Sequence, residues 1–494
     1  MSETQSSYRQ ALKATSLFGG VQGVNIVISI IRSKFVAVLL GPLGMGIAGL
    51  LNSTINVVGE FAKLGLDTSA VKEIALFNNK DQKKLILIVS SLKRIIWFTG
   101  LLSSVFAIIF ASFLSRLTFG NTDYTWSFIW ISVALVFKQL TYGELAVLQG
   151  LRKLKYLAKS NVYASFVGLF VVIPLYYFFK IDGIVPGIIL SAILSYVFSR
   201  YFSHKVKIKS LKLSNRQAFR HGRPMLKLGL MLSIRSSITL LSAYGIQIFI
   251  SHVGGIDEVG FYLAGFVIIN SYVGVIFNAM QTDYFPRLSA MTNDPGRLRD
   301  TVLHQAVIAL LIITPIIILF FMVAPIAIEL LYSKEFLLIT VFVSWGMFGT
   351  FFKAVSWAMG YVILAKGDSK LFIKTAVLFN FIYVTSLILG YTYYGLFGVG
   401  FAFFCYNILH LIIVKVITFY KYDLYFNRNF HWLFVICLLM CSTTFALSYL
   451  TIPLLKYSLM MLMVFISLTF TLYQLNKKLD IKAVLQQFLK KKND

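Results

Sequence analysis

The sequence is poor in charge, and the charges it has are mostly of one sign. Only 13% of the 494 residues are charged and 58% are apolar, whereas about one quarter of a soluble domain is charged. Acidic residues number 19 against 46 basic residues, which gives a net charge of +27. With a mean hydropathy of +0.79, this composition excludes a cytosolic enzyme and a disordered protein. It predicts an all-α polytopic membrane protein.

Cysteine is scarce as well. The three cysteines, Cys405, Cys437 and Cys441, lie inside apolar runs, so we expect no disulfide bond, and no Cys/His spacing indicates a metal site. The sequence also lacks a GxxxxGK[ST] nucleotide-binding pattern, so we do not expect an ATPase. The polar N-terminus and the long first apolar run predict no cleavable signal peptide.

Long apolar runs, in contrast, recur along the whole chain. A bilayer-spanning helix needs about 20 apolar residues, and the sequence predicts about fourteen transmembrane helices. Their approximate ranges are 14–40, 45–66, 89–114, 125–149, 160–179, 184–203, 226–251, 259–282, 303–331, 337–364, 371–393, 397–419, 431–450 and 453–474.

The basic residues lie mainly between these runs, so we expect no nucleic-acid partner. One alternate set of connections, with both termini, holds 35 of the 46 Lys and Arg residues, and the other set holds four. The positive-inside rule places the basic set in the cytoplasm, facing anionic lipid headgroups. Both termini are then predicted to be cytoplasmic, which agrees with an even number of spans.

Short glycine patterns repeat at a nearly constant offset. Gly41 and Gly46 recur as Gly255 and Gly260, 214 residues later, and the Gly143–Gly150 spacing recurs with an offset of 217. The shared offset predicts two six-helix lobes that enter the membrane in the same direction, with the working cavity between them. The predicted lobes are 1–205 and 206–420, followed by two more helices and a basic tail in 421–494.

Five cations lie deep within predicted spans, namely Arg32, Lys34, Lys138, Arg235 and Lys353. Each costs roughly 2.5–3.5 kcal/mol to insert, so such residues face a wet cavity or a partner. Because Arg32 and Lys34 are two positions apart, they point in nearly opposite directions, and either can be the one that faces the cavity. Cavity cations favour an anionic ligand such as phosphate; the alternative is a set of buried ion pairs.

Carboxylates in the spans are fewer. Glu60, Glu144 and Asp283 are candidates for coupling transport to a gradient of H⁺ or Na⁺. Glu60 and Lys63 lie one turn apart and can simply pair. Glu144 can serve Lys138 or a substrate hydroxyl.

Several segments match a known family. The segment GPLGMGIAG (Gly41–Gly49) resembles the polysaccharide flippases of the MOP superfamily. Three more resemble its Wzx branch: FGNTDY from Phe119, YFPRLSAMTND from Tyr284, and the stretch from Leu331 through Gly367 with FFKAVSWAMGYVILAKG. The resemblance covers most of the first 420 residues.

The resemblance implies a MATE-like fold and alternating access. It implies that an undecaprenyl-pyrophosphate-linked oligosaccharide, such as an O-antigen or lipid III unit, crosses the bacterial inner membrane with its pyrophosphate and sugars in a cationic central cavity. Lys34 and Lys353 fall where related members also carry Lys. A monomer that contacts membrane lipids and the polysaccharide polymerase machinery is the expected assembly.

Two other classes compete with this interpretation. A multidrug exporter of the same superfamily carries cations and predicts acids, rather than Lys and Arg, in the cavity. A membrane polymerase or ligase needs a sizeable outer loop with catalytic side chains, and the longest predicted outer loop, near Ser115–Tyr124, has no paired carboxylates. The sequence therefore favours a transporter over an enzyme.

Overall fold

The computed structural model describes the backbone of residues 3–78, 80–206, 208, 211 and 213–479. Side chains are described within these ranges except those of 3–22, 235, 271, 272, 275, 282, 478 and 479. The candidate cation Arg235 therefore has a helical backbone, and its side chain lies outside the described residues.

The described residues form fifteen α-helices, short 3-10 and π segments, and no strand. The helices are α1 Glu3–Lys63, α2 Leu66–Phe77, α3 Gln82–Ile109, α4 Ala111–Phe119, α5 Thr125–Gly150, α6 Leu154–Phe179, α7 Ile184–His204, α8 Asn215–Val253, α9 Ile256–Phe266, α10 Val273–Ala290, α11 Pro295–Leu331, α12 Thr340–Ala365, α13 Ser369–Tyr422, α14 Arg428–Leu447 and α15 Pro453–Leu479. The prediction of an all-α membrane protein is confirmed.

Polar residues cap several of these helices where the chain leaves the apolar runs. Ser214 and Gln217 form a reciprocal capping box at the start of α8, and Asn427 accepts a hydrogen bond of 2.9 Å from Phe430 N at the start of α14. Asp368 caps α13 and also accepts a hydrogen bond from Lys421. The hydrogen bond from the Lys421 ammonium lowers the pKa of Asp368, so this cap stays ionised to a lower pH than a free aspartate.

Ten helical stretches among the described residues are long and apolar enough to cross a membrane. Three of them have 41, 51 and 54 residues, about twice the length one crossing needs. Each is interrupted: α1 at Gly41 with φ 65°, the α6–α7 stretch at a 3-10 segment (Lys180–Gly183), and α13 at Gly395 with φ 57°. A multi-pass membrane protein is established, and the count of fourteen spans stays a prediction.

The predicted span 259–282 is not among those ten stretches. A π-helical segment, Val267–Tyr272, separates the short helix α9 from α10. Such π segments widen the turn and often mark functional sites. The candidate cation Lys353 bonds to a residue of this segment, as described below.

The two repeated glycine segments, Gly41–Gly46 and Gly255–Gly260 (the glycine turns), pack against each other reciprocally. A Cβ on Gly46 would lie 2.1 Å from the carbonyl oxygen of Ile256, and a Cβ on Gly260 would lie 2.0 Å from that of Pro42. Ile256 and Gly260 stand 214 residues after Pro42 and Gly46. Each glycine therefore contacts the residue equivalent to the one that contacts its counterpart, as in an interface between copies related by a twofold axis.

Packing divides the chain into two compact units. The first contains Met1–Leu263 with Leu330–Glu335, and the second contains Ala264–Glu329 with Phe336–Asp494. The first unit extends well past residue 205 because α8 packs against α1, α2 and α3. The repeat-based lobes 1–205 and 206–420 stay a prediction, since internal sequence similarity and helix packing are different properties.

Candidate substrate-binding site

A polar cavity of about 310 Å³ lies inside the first unit. Both halves of α1 line it, together with α5, α6 and α7. Its polar and charged lining residues are Arg32, Asn52, Lys138, Tyr176, Ser191 and Ser195. The lining includes two cations and no carboxylate.

Arg32 and Lys138, which are 106 positions apart in sequence, thus share one cavity. The Nε of Arg32 is buried, and it has no hydrogen-bond partner among the described residues. The guanidinium lies beside Gly168 of α6, where a Cβ would be 3.4 Å from Arg32 Nη2. The guanidinium therefore packs close to the backbone of α6 at this position.

Lys138 binds a neutral partner. Its Nζ donates a hydrogen bond of 3.1 Å to Asn56 Oδ1. Within the part of the chain that the structure describes, no carboxylate forms an ion pair with Arg32, Lys138 or Lys353. The alternative of buried ion pairs is therefore not what the described structure shows for these three cations.

Lys353 belongs to the second unit and has the same kind of partner. Its Nζ lies 3.4 Å from Asn270 Oδ1, in the π segment between α9 and α10. It also lies 5.9 Å from the centre of the Phe277 ring, close enough for a cation–π contact. Its contacts among the described residues therefore include an amide oxygen and an aromatic face.

The two lysine–asparagine pairs are related by the sequence repeat. Asn270 follows Asn56 by 214 residues, and Lys353 follows Lys138 by 215. These offsets equal those of the glycine turns to within a few residues. The two asparagines were not predicted from the sequence; the repeat offset applied to the polar residues of the spans, and not only to the glycines, would have paired Asn56 with Asn270.

The other candidate cation, Lys34, is half-buried and does not line the cavity. This agrees with the sequence argument that Arg32 and Lys34 point apart. The neutral groups Asn52, Tyr176, Ser191 and Ser195 were also missed, because single polar residues in apolar helices carry no distinctive pattern. Only the convergence of five helical segments brings them together.

The candidate carboxylates lie elsewhere. Glu60 is 2.6 Å from Lys63 Nζ, the pairing that the sequence predicted, and accepts a hydrogen bond of 2.5 Å from Ser236 Oγ of α8. Asp283 is 81% exposed and lies 3.8 Å from Arg287. Neither lines the cavity.

Glu144 corrects one expectation. Its carboxylate lies 2.7 Å from Arg200 Nη1 and 3.2 Å from Lys93 Nζ, so its partners are these two cations and not Lys138. Glu144 and Lys138 are six positions apart on α5, and six residues rotate a helix by more than one and a half turns. The two side chains therefore point to different faces of α5.

Comparisons with known proteins identify the family of this chain. The family described as "Polysaccharide biosynthesis protein" matches residues 35–340. This chain belongs to that family. The lipid III flippases of Escherichia coli K12 and Shigella flexneri are each 24% identical over 357 residues, which cover 72% of this chain and 85% of theirs. The resemblance to Wzx-type flippases is confirmed, and these relatives are transporters rather than enzymes.

Solved structures establish the fold. The lipid II flippase MurJ in an inward closed conformation has a TM-score of 0.68 at 12% identity, and the match covers 95% of this chain and 99% of that one. An inward-facing MATE family multidrug resistance transporter of the MOP superfamily has a TM-score of 0.64 at 16% identity, covering 81% and 94%. The MATE-like fold is thereby confirmed.

Proposed function

We propose that this protein moves an undecaprenyl-pyrophosphate-linked oligosaccharide from the inner to the outer leaflet of the bacterial inner membrane by alternating access. Family membership and the lipid III flippases among its relatives support lipid-linked glycan as the substrate class. The observation that carries the proposal is the cavity that Arg32 and Lys138 share with no lining carboxylate.

The chemistry of such a substrate fits the cavity. A glycan and a charged pyrophosphate cannot cross hydrocarbon unaided, because unsolvated charges and hydroxyls are costly there. Arginine binds phosphate through a planar fork, and lysine binds it as a point charge. Asn52, Tyr176, Ser191 and Ser195 add hydrogen-bonding groups for sugar hydroxyls.

The competing function is a cation-coupled multidrug exporter, which the structural likeness to a MATE transporter suggests. That likeness concerns the fold alone. An exporter of cationic drugs needs acids in its cavity, whereas this cavity contains Arg32 and Lys138. The charge of the cavity therefore favours the flippase.

The remaining features of the proposal follow from the sequence. We place both termini in the cytoplasm, because most Lys and Arg residues lie on that side. We also propose that the protein works as a monomer beside the polymerase machinery, and that a gradient of H⁺ or Na⁺ drives it through Glu60, Glu144 or Asp283.

The test is glycan export in a bacterial strain that lacks its own flippase, with Arg32→Gln and Lys138→Gln. Each variant is expected to lower export at least about tenfold, which corresponds to about 1.4 kcal/mol of lost substrate stabilisation, while protein levels stay normal. Lys415→Gln is the matched control, because it removes an exposed cation within a span. Normal export by both cavity variants would refute the cationic-cavity mechanism.

A further inference from the structure

A second cavity of about 520 Å³ lies in the same unit and is entirely apolar. Its lining residues are Gly23, Val24, Val27, Ile28 and Ile31 of α1 with Phe166 and Leu169 of α6. Val27 is 55% exposed and Phe166 is 50% exposed. In a membrane, these exposed side chains meet hydrocarbon, so the cavity opens sideways to the bilayer.

The apolar cavity and the polar cavity lie end to end along one seam. On α1, Ile28 lines the apolar cavity, and Arg32 and Val36, one and two turns later, line the polar one. On α6, Leu169 lines the apolar cavity and Tyr176, two turns later, lines the polar one. Residues with this spacing share one helix face, and α1 packs against α6.

Arg32 stands where the two cavities meet. It follows Ile31, the last α1 residue of the apolar cavity, and its guanidinium lies against Gly168, next to Leu169. Its buried Nε has no partner among the described residues. The seam thus offers hydrocarbon contacts over residues 23–31, about 12 Å of helix, followed directly by a cation with an unused donor.

We propose that the α1–α6 seam holds the start of the hydrocarbon chain of a polyprenyl pyrophosphate ester, with the pyrophosphate at Arg32. The occupant follows from charge complementarity at Arg32 and from the apolar lining of the segment beside it. The proposal rests on the proposed function, and it adds where the chain lies during transport. The rest of a long chain stays in the bilayer, because the groove is open at Val27 and Phe166.

The experiment measures binding of two probes to the purified full-length protein in detergent. Inorganic pyrophosphate reports the head site alone, and farnesyl pyrophosphate adds an isoprenoid chain. We expect farnesyl pyrophosphate to bind at least about tenfold more tightly to the wild type. Val27→Trp fills the groove and is expected to abolish that gain while leaving the affinity for inorganic pyrophosphate unchanged.

Val38→Trp is the matched control. Val38 is 56% exposed on the same helix and lines neither cavity, so this variant is expected to keep the full gain. An unchanged gain in Val27→Trp would overturn the proposal. Equal competition by phosphatidylglycerol, a diacyl phosphate lipid, would overturn it too, since the seam would then be a general lipid groove.

A crosslinking measurement keeps the test valid if Val27→Trp does not fold. A photoreactive benzoylphenylalanine replaces Phe166 in the groove or, as a control, Phe178 near the end of α6. The proposal requires more label from a polyprenyl pyrophosphate at 166 than at 178; equal label at both positions, or none at 166, would overturn it. Failure of the wild type to restore glycan export would refute the proposed function instead, so the two failures are distinguishable.

Discussion

The two repeats carry the same lysine–asparagine pair in different surroundings. In the first repeat, Asn56 lies on the regular second half of α1, and its partner Lys138 faces a polar cavity together with Arg32. In the second repeat, Asn270 lies in a π segment, and its partner Lys353 faces the ring of Phe277. The pairs are kept, while the groups around them differ.

This difference separates the position of the lysine charge, which the repeats share, from its surroundings, which they do not. A lysine bonded to a neutral amide is held in place with its positive charge uncompensated, whereas a carboxylate partner would offset that charge. The position of the charge is thus common to both repeats. Arg32, at the junction with the apolar groove, has no cationic counterpart in the second repeat, since residue 246 is Ile. The two pairs thus place a lysine at equivalent positions of the repeats, and Arg32 distinguishes the first repeat.

The largest expected effect comes from the reciprocal glycine turns. Gly46→Ala and Gly260→Ala each place a Cβ about 2 Å from a backbone oxygen, so the helices must separate. We expect each to lower the free energy of unfolding by about 1–3 kcal/mol or more, measured as thermal stability in detergent. Gly360→Ala, which meets no atom within 4 Å, is the control. A tolerated Ala at one turn alone would show that the turns are not equivalent.

The next effect tests whether the two lysines are equivalent. Lys353→Gln is expected to reduce glycan export as much as Lys138→Gln, about tenfold or more, whereas Lys→Arg at either position keeps the charge and most of the activity. Asn56→Ala and Asn270→Ala remove only the hydrogen bond that positions the lysine, so we expect glycan export to fall by about 2- to 10-fold. Loss of export with Lys138→Gln but not with Lys353→Gln would confine substrate binding to the first unit.

The smallest effect concerns the exposed carboxylate of the second repeat. Glu60 and Glu144 are held in ion pairs, so replacing either by its amide also alters stability. Asp283 is 81% exposed, and Asp283→Asn should change the unfolding free energy by less than about 0.5 kcal/mol. If this carboxylate couples transport to an ion gradient, transport slows while substrate affinity stays constant. Asp300→Asn, at another exposed aspartate, is the control, and equal transport by both variants would exclude Asp283 from coupling.

Much of the fold was predictable from the sequence, because a bilayer imposes simple requirements on helix length and apolarity. The helical class and the breaks near Gly41, Gly183 and Gly395 correspond to the predicted connections. The π segment at Val267–Tyr272 was not predicted, since it depends on how α9 and α10 pack and not on local composition.

The site was predictable only in part. Depth within an apolar run singled out Arg32, Lys138 and Lys353 as cations that need a polar environment. Depth alone did not identify the partners of these cations. It suggested Lys138 as a partner of Glu144, whose carboxylate instead pairs with Lys93 and Arg200. A span gives the depth of a residue, but the direction of its side chain around the helix depends on the neighbouring helices.

The sequence by itself determined that this chain spans a membrane as repeated helices with more deep cations than deep acids. Those properties follow from composition and order, because hydrocarbon selects apolar runs and penalises charge at every position. Only the tertiary structure decided that Arg32 and Lys138 share one cavity, that asparagines hold the two repeated lysines, and that an apolar groove ends at Arg32. These facts depend on side chains from helices distant in sequence, and only packing brings such side chains together.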